Sequence, residues 1–496
     1  MYRHLIAPSF GLLPDELIRA IFLFCLPSPG DRRPSKHTAP LLLCDVCRAW
    51  RSIALNTFQL WDDLLLDSES QHKTVHADTI MKFTGALSLW LRYCNQHPFH
   101  LTLDCSRVPN VTSQFMNRVW GIVDTSNTKL CSLEIKVREA EHINALITST
   151  HVWDSLEAVS FGISYHAEEQ NMQLLNLTSA QQLRKLRLRA YELKNPPELR
   201  VPWVRLTHLA LETGLSLLSW HRLIRATPLL SRCHVYLLGF DPPDDAAVDH
   251  AHDIAALASL IPRTVELQHL RELVMAFGGP FSSAIFYDVS CPMLQTLRIA
   301  NLHVGCGFST DDISLQFYER IPSLNSLTLR HADMSADQLL RVLRHATLIN
   351  ELHIDCGGDH DNLLEALTIS GNYDSAEVLL PYLSFFQISA VSYPRGDISP
   401  TFSAHVFAQA IQSRWCYARF KDQSFEAGLF IDECLTRDGK LIEVQASQTL
   451  SRCKSEGLDL RTGTIPRNAA VDPRGDYPWG FDYSEWLKWT KVEAAR

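Results

Sequence analysis

Cysteine and acidic residues occur in two spacings that could bind a metal ion. Cys44 and Cys47 form a C-x-x-C pair, the spacing that zinc sites and redox motifs share. No second cysteine or histidine pair follows at a zinc spacing, and the pair lies in an apolar helical pattern, so we predict core packing. The stretch 355–361 lacks the ordered oxygen ligands and closing Glu of a calcium loop. We expect a solvated turn there, with neither a metal nor a cofactor.

Motifs for covalent catalysis are absent from the sequence. There is no G-x-S-x-G elbow, no P-loop and no H-E-x-x-H helix. The chain has 21 histidines, so chance pairs of histidine with Asp or Ser carry no weight. The sequence therefore predicts that the protein is not an enzyme. A hydrolase within another α/β fold is the less favoured alternative, and a fold with a single repeating strand edge would argue against it.

Apolar residues recur in an apolar-x-x-apolar-x-apolar pattern whose last positions alternate as in a β-strand. Copies begin at residues 130, 156, 183, 206, 230, 270, 294, 324, 349 and 383. Most intervals lie within or close to the roughly 20–29 residues of a leucine-rich repeat. One repeat cannot bury its apolar face alone, so stacked repeats must share a core. The sequence predicts an α/β fold, an irregular leucine-rich-repeat horseshoe (solenoid).

The longest interval, after the copy at residue 230, holds an insertion. It contains Asp-Pro-Pro-Asp-Asp at 241–245 and an apolar helical pattern around 254–260. A competing doubly wound α/β sheet would need helices on both faces and a Gly-rich loop after an early strand, and we find neither signal.

Residues between and just after the strand leucines of such a horseshoe should face its concave side. Seven of these positions are basic and five are acidic, on a chain whose net charge is −9. The basic positions are Lys136, Lys185, Arg187, Arg189, Arg232, Arg298 and Arg330, and the acidic positions are Glu134, Glu212, Glu272, Glu351 and Asp355. Together with Tyr236, the basic residues from 185 to 330 form a candidate target-binding strip for an acidic or phosphorylated peptide. An ordinary solvated sheet face is the alternative interpretation.

The N-terminal segment predicts short helices with more apolar surface than they can bury themselves. Pro14 suits the first position of a helix, and Asp15 and Glu16 then match the helix dipole. Leu17, Ile21 and Cys25 form one apolar stripe, and a second helical pattern begins near Leu41. About 55 residues is near the lower limit for a self-sufficient core, so the surplus apolar side chains indicate a partner protein.

Three ordered pieces of this segment resemble an F-box. They are Leu13-Pro14-Asp15-Glu16-Leu17, then Val46 to Ala54 (Val-Cys-Arg-Ala-Trp-Arg-Ser-Ile-Ala), then Leu60-Trp61. The long connection from Pro27 to Pro40, and the later Trp90 to Leu103 stretch, resemble the fungal (mushroom-type) F-box family. This resemblance implies a three-helix F-box that docks to the Skp adaptor of an SCF (cullin-RING) ubiquitin ligase.

The resemblance implies a substrate receptor that holds a target protein for ubiquitin transfer by other subunits. An F-box scaffold that acts outside a ligase is the alternative. The residues expected to form or support the adaptor-docking surface are Leu13, Pro14, Leu17, Ile21, Cys47, Trp50, Leu60 and Trp61.

The C-terminal region differs from the repeats. Asp438-Gly439 predicts a hairpin turn between strands at 429–433 and 441–444, and a helix follows over 447–455. A hairpin of this kind could cap the last repeat. We therefore expect an F-box over 11–67, a linker helix over 68–97, repeats with a hairpin cap over 98–446, and a helix with an aromatic tail over 447–496.

Bulk properties restrict the protein class and compartment. The net charge of −9 argues against a general nucleic-acid binder. No apolar run approaches the length of a membrane span, and the first residues lack a signal-peptide core. The 13 cysteines show no pairing rhythm, so we expect free thiols in the cytoplasm or nucleus.

Overall fold

A computed structural model describes most of the chain. The described residues are 13–28, 32–67, 77–106, 113–126, 129–138, 153–163, 176–192, 199–237, 264–277, 283–301, 312–330, 334–355, 358–369, 378–390, 400–432 and 440–465. The 241–262 insertion, the Asp438-Gly439 turn and the aromatic tail beyond 465 lie outside these ranges.

The chain divides into two compact units. Unit 1 comprises Met1–Leu193, Glu198–Leu206 and Asp482–Arg496, and unit 2 comprises Lys194–Pro197 and Thr207–Phe481. The helices of unit 1 are α1 (Asp15–Phe24), α2 (Leu41–Val46), α3 (Arg48–Leu55), α4 (Ala77–Cys94) and α5 (Ser113–Thr125). Its strands are β1 (Asp63–Asp67), β2 (Pro98–Asp104), β3 (Lys129–Val137), β4 (Ala158–Ile163) and β5 (Lys185–Glu192). These five strands pair in chain order, and every pair is parallel.

Local signals account for the N-terminal helices of unit 1. Helix α1 begins directly after Pro14 and has two acidic residues in its first turn. Helix α3 is N-capped by Cys47, whose Sγ accepts a hydrogen bond from the backbone N–H of Trp50 at 3.4 Å. Trp61 is fully buried and donates its indole N–H to the carbonyl of Ala54 at 2.9 Å. A single buried aromatic thus attaches the end of α3 to the strand that follows.

The connection between α1 and α2 is held against β1. Arg32 lies 2.6 Å from the carboxylate of Asp62, and Arg33 lies 2.7 Å from that of Asp67. The carbonyl of Arg32 also accepts the backbone N–H of Leu65 at 3.0 Å. This segment, which we call the β1 clasp (residues 32–35), therefore satisfies a backbone group on the outer edge of β1.

Unit 2 repeats one arrangement of strand, helix or loop, and turn. Its strands are β6 (His208–Leu215), β7 (Arg232–Leu237), β8 (Val265–Glu266), β9 (Glu272–Phe277), β10 (Val289–Ser290), β11 (Thr296–Asn301), β12 (Ser326–Arg330), β13 (Glu351–Asp355), β14 (Gly358–Asp359), β15 (Phe385–Ala390), β16 (Pro400–Thr401), β17 (Glu426–Asp432) and β18 (Asp459–Ile465). Its helices are α6 (Leu217–Ala226), α7 (Asp312–Glu319), α8 (Ala336–His345), α9 (Asp361–Leu367), α10 (Ala404–Phe420), α11 (Lys440–Ala446) and α12 (Gln448–Ser455).

The longer strands of unit 2 form one parallel sheet in the order β6-β7-β9-β11-β12-β13-β15-β17-β18. The predicted apolar triplets lie in register: Leu273 pairs with Leu297, Leu297 with Leu327, and Leu327 with Leu352. In both units the apolar residues of all ten predicted copies are buried. The sequence prediction of a mixed α/β fold with a long parallel sheet and a shared core is therefore confirmed.

One turn precedes each strand of the repeats. The residue before the buried apolar residue varies, but from the copy at residue 156 to the copy at residue 383 the turn closes with the same i to i+3 backbone hydrogen bond. In unit 2 these bonds run to the carbonyls of Thr227, Leu267, Cys291, Ile321, Ala346 and Leu380, at 3.0–3.4 Å. Identical turns hold successive strands in equivalent positions.

Two predictions were wrong at the level of single elements. Residues 440–446 are the helix α11, and β17 pairs in parallel with β15 and β18, so the predicted hairpin cap does not form. An apolar run of this length fits either a strand or a helix, and packing against α10 and α12 favoured the helix. Cys47, predicted to pack in a core, is exposed, whereas Cys44 is buried. The helix predicted after Ser447 is present, and β18 was not predicted.

We expect Leu327→Ala to lower the free energy of unfolding by about 2–5 kcal/mol, because it leaves a cavity in the shared core. Leu186→Ala in unit 1 should have a similar effect. Both leucines are fully buried. Urea denaturation of each variant measures the loss, and Leu348→Ala at an exposed position is the matched control. An equal effect of core and control substitutions would contradict the assigned core.

Candidate functional site

Exposed apolar side chains are concentrated on the first two helices. Half of the large hydrophobic residues that are exposed in the described chain, seven of fourteen, lie before residue 47. They are Leu13, Leu17, Ile21, Leu23, Phe24, Leu42 and Val46, and we call this set the N-terminal apolar patch. Phe24 is 91% exposed, Leu17 53% and Val46 52%. Isolated exposed hydrophobic residues are common, but a concentration of this kind marks an interaction surface.

Helix α1 creates the patch because it is apolar on two sides. Ile18 and Phe22 are four residues apart and are buried against the rest of unit 1. Leu17, Ile21 and Phe24 recur at helical spacing on another side and remain exposed. A helix that needed only to cover its own domain would place polar residues there. The second apolar side thus lacks a packing partner among the described residues.

The residues predicted for adaptor docking fall into two groups in the structure. Leu13, Pro14, Leu17, Ile21 and Cys47 are exposed, and Trp50 is partly exposed. Leu60 and Trp61 are fully buried, so they can support the surface but cannot form it.

Four residues of the patch were not in the predicted set: Leu23, Phe24, Leu42 and Val46. Their signal in the sequence is that α1 contains more apolar residues than one buried stripe requires. The ring of Phe22 lies 5.0 Å from that of Trp50, so α1 and α3 are joined beneath the patch.

The predicted target-binding strip is divided between the units. Lys185, Arg187 and Arg189 lie on β5 of unit 1. Arg187 is only 3% exposed and Lys185 is also buried, whereas Arg189 is partly exposed. A buried guanidinium offers little surface to a target. Of these three residues, Arg189 is the best placed to contact one.

Acidic side chains accompany the basic residues of unit 2. Glu272 on β9 lies 3.8 Å from Arg232 and 3.4 Å from His234, both on β7. Burial alone would raise the pKa of the Glu272 carboxyl, but His234, Arg298 and Arg232 together lower it. Burial lowers the pKa of His234, with Glu272 opposing this effect. The β7 end of the strip is therefore a compensated charge cluster.

The centre of the strip is formed by β11, β12 and β13. Arg298, Thr328 and His353 lie opposite one another in register, and Arg330 follows Thr328 by two residues. Arg298 is exposed. Burial, together with the positive charges of Arg330 and Arg298, lowers the pKa of His353 to about 4, although Glu351 opposes the shift. Tyr236 on β7 is partly exposed on the same sheet face. Arg298 is thus the most accessible cation of the predicted set.

The acidic stretch 355–361 is used structurally where it is described. Asp361 accepts hydrogen bonds from the backbone N–H and the hydroxyl of Ser403, both at 2.6 Å. No group of three or more potential metal-binding side chains occurs among the residues with assigned positions. Burial raises the pKa of the Cys94, Cys105 and Cys291 thiols to about 12, so these thiols stay protonated.

Comparison with known proteins finds distant structural neighbours. No family model matches the chain, and no curated protein matches it. The chain is similar to a solved structure entitled "Crystal structure of TLR13-ssRNA13 complex", with a TM-score of 0.35 and 12% sequence identity. The match covers 69% of this chain and 39% of that chain. This chain therefore spans about two fifths of the length of that protein.

Within the described ranges, no helix is both long and apolar enough to cross a lipid bilayer.

The environment of His353 predicts a pH dependence of stability. Its folded-state pKa is about 4, against a usual value of 6.5, so the unfolded chain binds more protons between these pH values. We expect stability to fall as the pH drops from about 6.5 to about 4, and His353→Gln to reduce this fall. Urea unfolding at pH 7 and pH 5 measures the difference. His269→Gln, at an exposed position, is the control, and equal pH responses of both variants would contradict the proposed environment.

Proposed function

We propose that this protein is the substrate-recognition subunit of an SCF-type (cullin-RING) E3 ubiquitin ligase. The first helices would act as an F-box that docks to the Skp adaptor, and the repeats, as a leucine-rich-repeat horseshoe, would hold a target protein. The chain itself would catalyse no reaction and would need no cofactor. Its place of action would be the cytoplasm or the nucleus.

The N-terminal apolar patch is the observation that carries this proposal. It coincides with the segment whose motifs resemble an F-box, and it includes Leu13, Leu17 and Val46 from those motifs. Covering apolar area releases about 25 cal/mol for each Å², so several half-exposed leucines and a fully presented Phe24 favour a stable partner. Aromatic anchors of this kind often dominate binding energy.

The attachment of α3 and the β1 clasp supports a receptor rather than a free docking peptide. Trp61 packs on Trp90 of α4, with ring centroids 5.0 Å apart. Arg32 and Arg33 connect the α1–α2 loop to β1, the first strand of the unit 1 sheet. Within unit 1 the patch is therefore fixed to the first repeats. A partner on the patch would have a defined position relative to anything bound by those repeats.

We expect Leu17→Asp combined with Phe24→Asp to abolish co-purification of the Skp adaptor. Both positions are exposed, so charges there should disrupt docking and leave the fold intact. Leu13→Ala with Pro14→Ala should also reduce co-purification of the adaptor, because these substitutions remove apolar contacts without adding a charge. Co-purification and circular dichroism measure binding and folding.

Phe420→Asp, at an exposed position of α10, is the matched control for this experiment. Undiminished adaptor binding by the Leu17–Phe24 variant would overturn the docking assignment. Recovery of cullin in the same purification would support the proposed role in a ubiquitin ligase. Adaptor without cullin would favour the alternative, an F-box scaffold outside a ligase.

We expect Arg298→Glu to weaken target capture while adaptor binding stays intact, because Arg298 is the exposed cation at the centre of the strip. The effect should shrink at high salt, which screens exposed charges. Arg187→Glu is unsuitable for this test, because Arg187 is buried and a reversed charge there would change the stability of the fold as well as target binding. Quantitative comparison of captured proteins is the measurement. Arg341→Glu, exposed on α8, is the control. Identical target sets from wild type and Arg298→Glu would refute the strip.

A further inference from the structure

A second set of exposed apolar residues occupies one repeated position in unit 2. Leu229, Met293, Leu348 and Tyr382 are 43–53% exposed, and each directly precedes a buried residue at the start of a repeat. Of the exposed large hydrophobic residues in the described part of unit 2, Phe420 alone lies elsewhere. We call these four residues the turn row.

The backbone makes the four positions geometrically equivalent. Each residue is the third residue of a turn closed by the same i to i+3 hydrogen bond, from Leu230, Leu294, Ile349 and Leu383 to the carbonyl three residues earlier. Two residues further on, a backbone ladder continues from one repeat to the next with bonds of 2.8–2.9 Å. The side chains of the turn row therefore lie along one edge of the unit 2 sheet, before the amino ends of the strands.

The equivalent turns of unit 1 do not share this feature. There the corresponding residues are Ser155, Gln182 and Arg205, all polar, although the turns close with the same hydrogen bond. The turn itself thus does not require an apolar residue at this position. In unit 2 about half of each apolar residue stays exposed, so packing within its own repeat does not use all of its apolar surface.

The spacing of the row matches one kind of partner. In sheet order the six turns carry Leu229, His269, Met293, Ser323, Leu348 and Tyr382. Neighbouring strands lie about 4.8 Å apart, so the first three apolar residues recur about every 9.6 Å. An α-helix advances about 10.5 Å in seven residues. A helix with an apolar residue at every seventh position would place successive side chains on Leu229, Met293 and Leu348.

The charges beside the row specify the polar sides of that helix. Arg271 and Arg344 are exposed near the turns. Two acidic neighbours already face basic groups, since Asp288 lies 3.6 Å from Arg320 and Glu319 lies 3.5 Å from His345. Acidic residues beside the apolar stripe of the helix would complement Arg271 and Arg344.

We propose that the turn row docks an amphipathic α-helix of a partner protein, with one apolar residue per heptad and acidic flanks. Helix-in-groove recognition commonly uses apolar anchors at such spacings. This surface is distinct from the N-terminal apolar patch and from the strand-face strip. The inference goes beyond the proposed ligase role and does not depend on adaptor binding.

The test uses the full chain and two labelled peptides of about three heptads each. One peptide has Leu at every seventh position with Glu on both sides, and the other has the same composition with Leu at every fifth position. Fluorescence anisotropy measures binding of each. We expect saturable binding of the heptad peptide, and binding at least about tenfold weaker for the five-residue spacing. Equal affinity for the two peptides, or no saturable binding of either, would overturn the proposal.

Leu229→Ser combined with Leu348→Ser should weaken binding of the heptad peptide at least about tenfold, whereas Phe420→Ser should leave its affinity unchanged. Both substitutions lie at exposed positions, and thermal unfolding verifies the fold. If the double variant is unstable, Arg271→Glu with Arg344→Glu replaces it and should also weaken binding, most strongly at low salt. Unchanged affinity in a folded row variant would overturn the proposal.

Light scattering and adaptor pull-down separate the remaining explanations. A dimer of the wild type that the row variant abolishes would assign the row to a second copy of this chain and overturn the partner-helix proposal. Retained adaptor binding by the row variant is expected. Retained peptide binding by the Leu17→Asp, Phe24→Asp variant would show the two surfaces to be independent, whereas its loss would argue against a separate site.

Discussion

Each repeat of this chain presents three apolar side chains that can be buried only by the neighbouring repeats. Leu327 on β12, for example, pairs in register with Leu297 on one side and Leu352 on the other. The strands must therefore run parallel and in chain order, with the apolar triplets of neighbouring strands in register. This requirement places every turn at one edge of the sheet and leaves alternate strand residues on the face away from the core. The locations of both repeat surfaces, the strip and the turn row, follow from it.

The sequence was most informative where a period was repeated. Ten apolar triplets predicted buried parallel strands, and the structure has all of them because every triplet depends on its neighbours. The C-terminal elements had no such repetition. Residues 440–446 were short and apolar, and contacts with other helices, which are distant in sequence, decided their conformation. The strand β18 lacks the leucine pattern and forms because β17 offers an edge with which it can pair.

The candidate sites show the same difference between what a sequence pattern predicts and what three-dimensional packing decides. Motifs drew attention to the first two helices, but whether a leucine there is buried or exposed depends on the angle at which a helix packs. Ile18 and Leu17 are adjacent and chemically similar, yet one is buried and the other is more than half exposed. In the strip, a count of charges predicted a basic surface. The contacts of Glu272 with Arg232 and His234 on the neighbouring strand, and the burial of Arg187, became visible only in three dimensions.

The β1 clasp has a consequence for the behaviour of the protein in concentrated solution. A parallel sheet ends in strands whose outer backbone groups can pair with any extended chain, and such edges promote self-association. At β1 the carbonyl of Arg32 already occupies the N–H of Leu65, and the guanidinium groups of Arg32 and Arg33 cover the acidic side chains beside it. A long connection between two short helices, which a compact helical domain would not need, thereby occupies one pairing position on the outer edge of the first strand and hinders its pairing with other copies.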